Sequence, residues 1–146
     1  MVVMQTRSLV LEHPAAPSAT AADHFAARLA YEADCSDVAG DITSGAAGFV
    51  LIDCRSAALY EAGHVPGAVH LPHRRINAEA LAAWPDDATF VTYCNGPHCN
   101  ASTRGALRIA LLGRPVKEMP GGWDGWLREG LPVETGRPGQ AVASFD

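Results

Sequence analysis

The stretch that most constrains this chain is a strand pattern, a tight cysteine-bearing loop and a helix pattern in direct succession. Thr89-Phe90-Val91-Thr92-Tyr93 is β-branched and aromatic, the composition of a strand. Cys94-Asn95-Gly96-Pro97-His98-Cys99-Asn100-Ala101-Ser102 follows, with the Gly-Pro chemistry of a turn. Residues 103–112 then read as a helix, stopped by Gly113. A strand that enters a helix through such a loop gathers backbone N–H groups at the helix N-terminus. Anions bind there, and a thiolate is favoured over a thiol. Cys94, the first loop residue, is therefore the candidate nucleophile. The competing reading is a buried, inert cysteine at a strand end.

The same alternation runs through the rest of the chain. Residues 1–19, with Pro14 and Pro17, read as a lead-in. Thr20 to Asp23 resembles a capping box and opens a helix to Ala33, with Ala22, Phe25, Ala26 and Leu29 on an apolar face that can dock on the domain. Asp37 can cap a short helix that ends at Gly45. Residues 49–52 form a continuous apolar run, the mark of a strand buried on both faces. Ser56 can cap a helix that stops at Gly63. A second strand spans 68–71, and Asn77 can cap a helix that ends before Pro85. Residues 115–119 make a last strand, and the glycine pair at 121–122 turns into a helix bearing Trp123 and Trp126.

Strands alternating with helices argue for a parallel α/β sheet with helices on both faces. In such a sheet, ligands bind beyond the carboxyl ends of the strands. Asp53–Arg55, the 72–75 loop, the 94–102 loop and residues 119–122 all follow predicted strands, so four strand ends converge around Cys94.

At 146 residues the chain is long enough for one domain with an adequate core. We expect this domain over residues 20–135, its core over 37–133, and a tail over 136–146. A net charge of −5 gives no footprint for nucleic acid or an anionic membrane. Neither early apolar run forms the core of a signal peptide, and no run is long enough for a membrane span. The expectation is a cytoplasmic protein whose four cysteines are thiols, with no cofactor and no metal.

Specific motifs sharpen this reading. Val50-Leu51-Ile52-Asp53-Cys54-Arg55 comes first, then Gly63-His64-Val65-Pro66-Gly67-Ala68. Val91-Thr92-Tyr93-Cys94 follows, then Gly121-Gly122-Trp123-Asp124-Gly125-Trp126. In this order and spacing they resemble a single-domain rhodanese, over residues 49–133. The resemblance implies a five-stranded parallel sheet flanked by helices, here with an extra N-terminal helix. It also implies a sulfurtransferase in which Cys94 carries a sulfane sulfur as a persulfide. N–H groups of Asn95 to Ser102 would hold it, and a cyanide or thiol acceptor, small or protein, would take it.

The chain departs from that family's loop. The family pattern places Arg and then Ser or Thr late in the loop. Here Cys99 stands fifth after Cys94, and if Ser102 matches the hydroxyl position, Ala101 replaces the Arg. The guanidinium that binds a sulfonate is missing from the loop. Arg74, Arg75 and Arg104 can supply that charge, or Arg74 and Arg75 can be a solvated basic loop.

Asp53 and Arg55 can contact substrate or anchor the strand end, and His64 fits a structural turn better than a general base. Cys99 can resolve an oxidised or persulfidated Cys94 as a disulfide, or face away, since spacing does not fix its direction. Cys94, His98 and Cys99 lack the second ligand pair of a zinc site. Two alternatives stay open: an oxyanion enzyme of the phosphatase and arsenate reductase type, and a non-catalytic binding or redox-sensing module. The first is disfavoured because those enzymes have an Arg where this chain has Asn100.

Overall fold

Two five-residue strands, β1 (Phe49–Asp53) and β3 (Thr89–Tyr93), form the centre of the structure, a computed structural model that describes residues 6–46 and 48–137. They pair in parallel and level, Phe49 opposite Thr89 and Asp53 opposite Tyr93. β2 (Val69–His70) flanks β1, and β4 (Val116–Glu118) flanks β3, giving the order β2-β1-β3-β4.

The sheet therefore has four strands among the described residues, against five expected. The fifth place, outside β4, holds one parallel bridge between Glu32 and Glu118, with the Ala33 N–H donating to the Glu118 carbonyl at 2.8 Å. The cause is local. α1 (Ser18–Tyr31) ends one residue before the bridge, and Asp34 already caps α2 (Cys35–Ser44). Too few extended residues remain between them for a strand.

Alternation along β1 and β3 explains why both faces are covered. Leu51, Val91 and Tyr93 face a cluster containing Cys35 and Val38 of α2, Tyr60 of α3 (Ala57–Ala62) and Trp126 of α6 (Gly122–Arg128). Ile52 and Phe90 face the other side, with Leu81 of α4 (Ala78–Leu81) and Ile109 of α5 (Ala101–Leu111). Phe90 and Ile109 are fully buried, so truncating either to Ala costs about 2–5 kcal/mol.

Caps set the helix boundaries. Ser56 and Asn77 accept from the N–H groups of Leu59 and Ala80, as the sequence predicts. α2 differs: Asp34, extended at φ −92°, accepts from Asp37, so the helix starts before Asp37. Asp37 then sits in its first turn, where its charge suits the helix dipole. α1 also starts early, because the Pro17 carbonyl takes the Ala21 N–H.

The chain divides into two units between Ala30 and Tyr31. The first holds a 3-10 turn at Val10–Glu12 and nearly all of α1, in which the His24 and Phe25 rings meet edge to face at 5.1 Å. The second holds the sheet. The predicted tail lies outside the described residues beyond Arg137, and so do the first five residues of the lead-in. No helix among the described residues is long and apolar enough to cross a membrane.

Candidate active site

β3 ends at Tyr93, and the chain leaves the sheet at Cys94, as the sequence predicts. The helix that follows begins earlier than expected. Ala101 and Ser102 belong to the first turn of α5, which shortens the loop to residues 94–100. Ser102 is buried there. Its hydroxyl donates to Glu118 Oε2 at 2.6 Å, and its carbonyl accepts from Thr92 Oγ1 at 2.9 Å. Thr103 Oγ1 donates to the same Glu118 oxygen at 2.7 Å. These bonds fix the first turn of α5 against β3 and β4. Asn100 occupies the cap position without a side-chain bond.

The 94–100 loop is curled, and its curl is held from outside. Within the loop, the Cys99 N–H donates to the Gly96 carbonyl at 3.0 Å, so this N–H points inward rather than toward a ligand. From α6, the Trp123 and Asp124 N–H groups donate to the Cys94 and Asn95 carbonyls, each at 2.8 Å. Gly122 makes that approach possible. Its φ of +59° is left-handed, and a Cβ there would stand 2.6 Å from the Cys94 carbonyl oxygen and 2.8 Å from the Gly96 nitrogen. Gly96 is buried, while Pro97 and His98 are exposed, and His98 Nε2 lies 3.9 Å from Asp124 Oδ2.

The curl joins Cys94 to Cys99 as a disulfide, with Cα atoms 6.4 Å apart. The expectation that all four cysteines are thiols is thereby corrected. A tight turn at Gly96-Pro97 folds the sixth loop residue back onto the first. Cys94 is buried and Cys99 half-buried. Cys35 and Cys54 remain thiols and are buried. Burial, with Glu129 and Asp34 nearby, pushes the Cys35 thiol up to about 11, and burial raises that of Cys54 further. Neither is a nucleophile at neutral pH. Cys54 packs into the space left by Gly105 of α5, where a Cβ would meet its Sγ at 2.9 Å.

The other candidate residues separate into interior supports and a surface cluster. Asp53 is fully buried and accepts from Arg55 N at 2.8 Å, Arg55 Nη2 at 2.8 Å and the Tyr93 hydroxyl at 2.7 Å. Arg55 also donates to the Gly63 carbonyl at 2.6 Å and stacks 4.8 Å above the Trp123 ring. Burial opposes its charge, and its bonds and attraction to Asp53 outweigh burial, so the guanidinium is held more firmly protonated. Burial and the Asp53 charge push the Tyr93 hydroxyl well up. This pair locks the end of β1 to the end of β3 and lies away from solvent.

His64 is buried. Its ring stacks on Tyr60 at 3.7 Å, its Nδ1 lies 2.7 Å from the Tyr60 carbonyl, and Glu134 Oε2 lies 3.6 Å from its Nε2. These contacts belong to a packed turn.

Arg74 and Arg75 are exposed on the 3-10 turn His73–Arg75, and Arg104 is exposed in the first turn of α5. Burial lowers the His73 imidazole, and Arg74, Arg104 and Arg108 lower it further. Arg74, Arg104 and Arg108 therefore gather around His73, between this turn and the helix that the loop enters. The sequence brings residues 119–122 to the side of Cys94, as found, but does not point to Glu118 and Asp124 as supports or to Gly122 as the point of close approach. The glycine pair at 121–122 was the available signal, since glycine marks close backbone approach.

Comparison with known proteins places this geometry. Residues 18–129 match the model of the rhodanese-like domain. The BH2092 protein of Bacillus halodurans has a similar structure, with a TM-score of 0.79, 35% identity, and coverage of 82% of this chain and 87% of that one. A thiosulfate sulfurtransferase of Pseudomonas aeruginosa shares the fold at a TM-score of 0.63 and 22% identity, over 77% of this chain and 22% of that one. The HTH-type transcriptional regulator Rv0324 of Mycobacterium tuberculosis is 39% identical over 101 residues, 68% of this chain. The chain spans 41% of that regulator's length. With a strand-end cysteine ahead of α5 and a family match from α1 to α6, this chain belongs to the rhodanese-like domain family.

Proposed function

We propose that this chain is a sulfurtransferase that carries sulfane sulfur on Cys94. The observation that carries the reading is the position of Cys94, at the carboxyl end of β3 and ahead of the α5 N-terminus, in a rhodanese-like chain. With the disulfide reduced, the Cys94 thiolate attacks the outer sulfur of a donor such as thiosulfate. A sulfur–sulfur bond forms at Cys94, the donor's own bond breaks, and sulfite leaves. Cyanide or a thiolate then attacks the outer sulfur and returns Cys94 as thiolate. The positive end of α5 and the 94–100 backbone favour the anionic states. Arg74 and Arg104 are the cations offered to an anionic donor in place of the missing loop Arg.

The test is thiocyanate formation from thiosulfate and cyanide after reduction of the protein. Activity is expected, and it should fall to background in Cys94→Ser. It should be weak, since one lost charge-assisted contact costs about 2 kcal/mol. Turnover of an aryl phosphate instead would assign the site to oxyanion chemistry. A second reading is favoured by the disulfide and by the regulator relative: a redox- or sulfur-sensing module. Undiminished thiocyanate formation in Cys94→Ser removes Cys94 from the transfer.

A further inference from the structure

Resting on the persulfide reading of Cys94, we propose that Cys99 discharges that persulfide within the same loop, releasing hydrosulfide and closing the Cys94–Cys99 disulfide. The loop is built for this step. The Cα atoms of the two residues stand 6.4 Å apart, within the span a disulfide bridges without backbone movement. Bonds that do not involve sulfur hold this shape: Cys99 N–H to the Gly96 carbonyl, Trp123 N–H to the Cys94 carbonyl and Asp124 N–H to the Asn95 carbonyl. The reduced loop is thereby kept in the form that sets one sulfur against the other. Cys99 is already in place beside Cys94, so the reaction within the loop outpaces attack by a thiol that must first come from solution. Cys35 and Cys54 are buried and unpaired and do not compete.

The step balances. Persulfidated Cys94 carries an inner sulfur, its own Sγ, and an outer sulfane sulfur. The Cys99 thiolate attacks the inner sulfur, the bond to the outer sulfur breaks, and that sulfur leaves as hydrosulfide with the electron pair. Two cysteine thiols are oxidised to one disulfide, and the sulfane sulfur is reduced to sulfide. A dithiol reductant, supplied from solution, must reopen the disulfide before the next donor binds. Attack on the outer sulfur would instead move the persulfide to Cys99. The structure favours the inner sulfur, because Cys99 Sγ is bonded to Cys94 Sγ itself.

The experiment is a single anaerobic turnover. The full chain is reduced, freed of reductant and treated with inorganic thiosulfate. Released sulfide is trapped, and the tryptic peptide 76–104, which holds both cysteines, is weighed without reduction. In the wild type this peptide should lose two hydrogens, with one sulfide released per chain. In Cys99→Ser, and in Cys99→Ala as a second variant, it should gain one sulfur atom, with sulfide release about tenfold lower or less. A wild-type peptide that keeps the added sulfur and releases no sulfide overturns the role of Cys99 and leaves Cys94 as carrier. A peptide that gains no sulfur in either Cys99 variant overturns the carrier role of Cys94, and this proposal with it.

Discussion

β1 and β3 run side by side and end level, yet the fold uses their ends in opposite ways. β1 ends in a carboxylate, Asp53, whose bonds go to Arg55 and Tyr93 in the interior. β3 ends in a loop whose two cysteine sulfurs are bonded to each other. The first end is a buried charge pair with no redox chemistry of its own. The second changes its covalent structure with two electrons. A parallel sheet brings all its strand ends to one side, but proximity there does not make every polar residue part of the chemistry. Here Asp53 and Arg55 hold the frame, and Cys94 and Cys99 are joined in the loop.

The largest effect should come from breaking the frame. Asp53→Ala leaves a buried guanidinium without its partner, which costs about 3–5 kcal/mol. Cys99→Ser in the reduced protein should stay within about 1 kcal/mol of wild type. Urea unfolding under dithiothreitol compares the two. Equal midpoints would abolish the distinction between frame and loop.

Gly122→Ala acts between the two regions. A left-handed alanine and a Cβ pressed against the Cys94 carbonyl should cost about 2 kcal/mol or more. The same variant should slow peroxide-driven closure of the disulfide, because the bonds from Trp123 and Asp124 set the loop's shape. Closure at the wild-type rate would mean that the loop curls without help from α6.

A third effect separates the regions by pH. The Cys35 thiol is raised to about 11 in the folded chain, so the unfolded chain gives up this proton first. The stability it contributes is complete below the unfolded value near 8.5 and is lost as pH rises toward about 11, a loss of at most about 3 kcal/mol. Cys54 adds in the same direction. Unfolding midpoints of the oxidised protein at pH 8 and above pH 10 should show this fall, and Cys35→Ala should reduce it by the share that Cys35 contributes. An unchanged slope in that variant would move the alkaline sensitivity elsewhere.

Much of this was legible from residue patterns. β3 runs over the predicted residues because its composition alone specifies a strand. Ser56 and Asn77 cap as read, since each needs only a short polar side chain before a helical run. Asp34 caps α2 in place of Asp37, because two aspartates three residues apart offer the same cap and only the backbone chooses. The start of α5 was misplaced for a tertiary reason: Glu118, from β4, fixes Ser102 and Thr103. The direction of Cys99 was not legible at all. It depends on Gly122 and α6, which lie about twenty residues later in the chain. The fifth strand was inferred by family likeness, and the short link between α1 and α2 leaves room only for the Glu32–Glu118 bridge.

The unequal strand lengths have a consequence for encounters between copies of this chain. The two central strands have five residues each, whereas the edges, β2 and β4, have two and three. An extended peptide adds to a sheet by pairing along an edge, and its hold grows with the number of backbone bonds it makes. β4 is also partly covered on its outer side, where the Ala33 N–H donates to the Glu118 carbonyl. The sheet thus keeps its long, adhesive strands inside and leaves only short, partly covered ones at its edges.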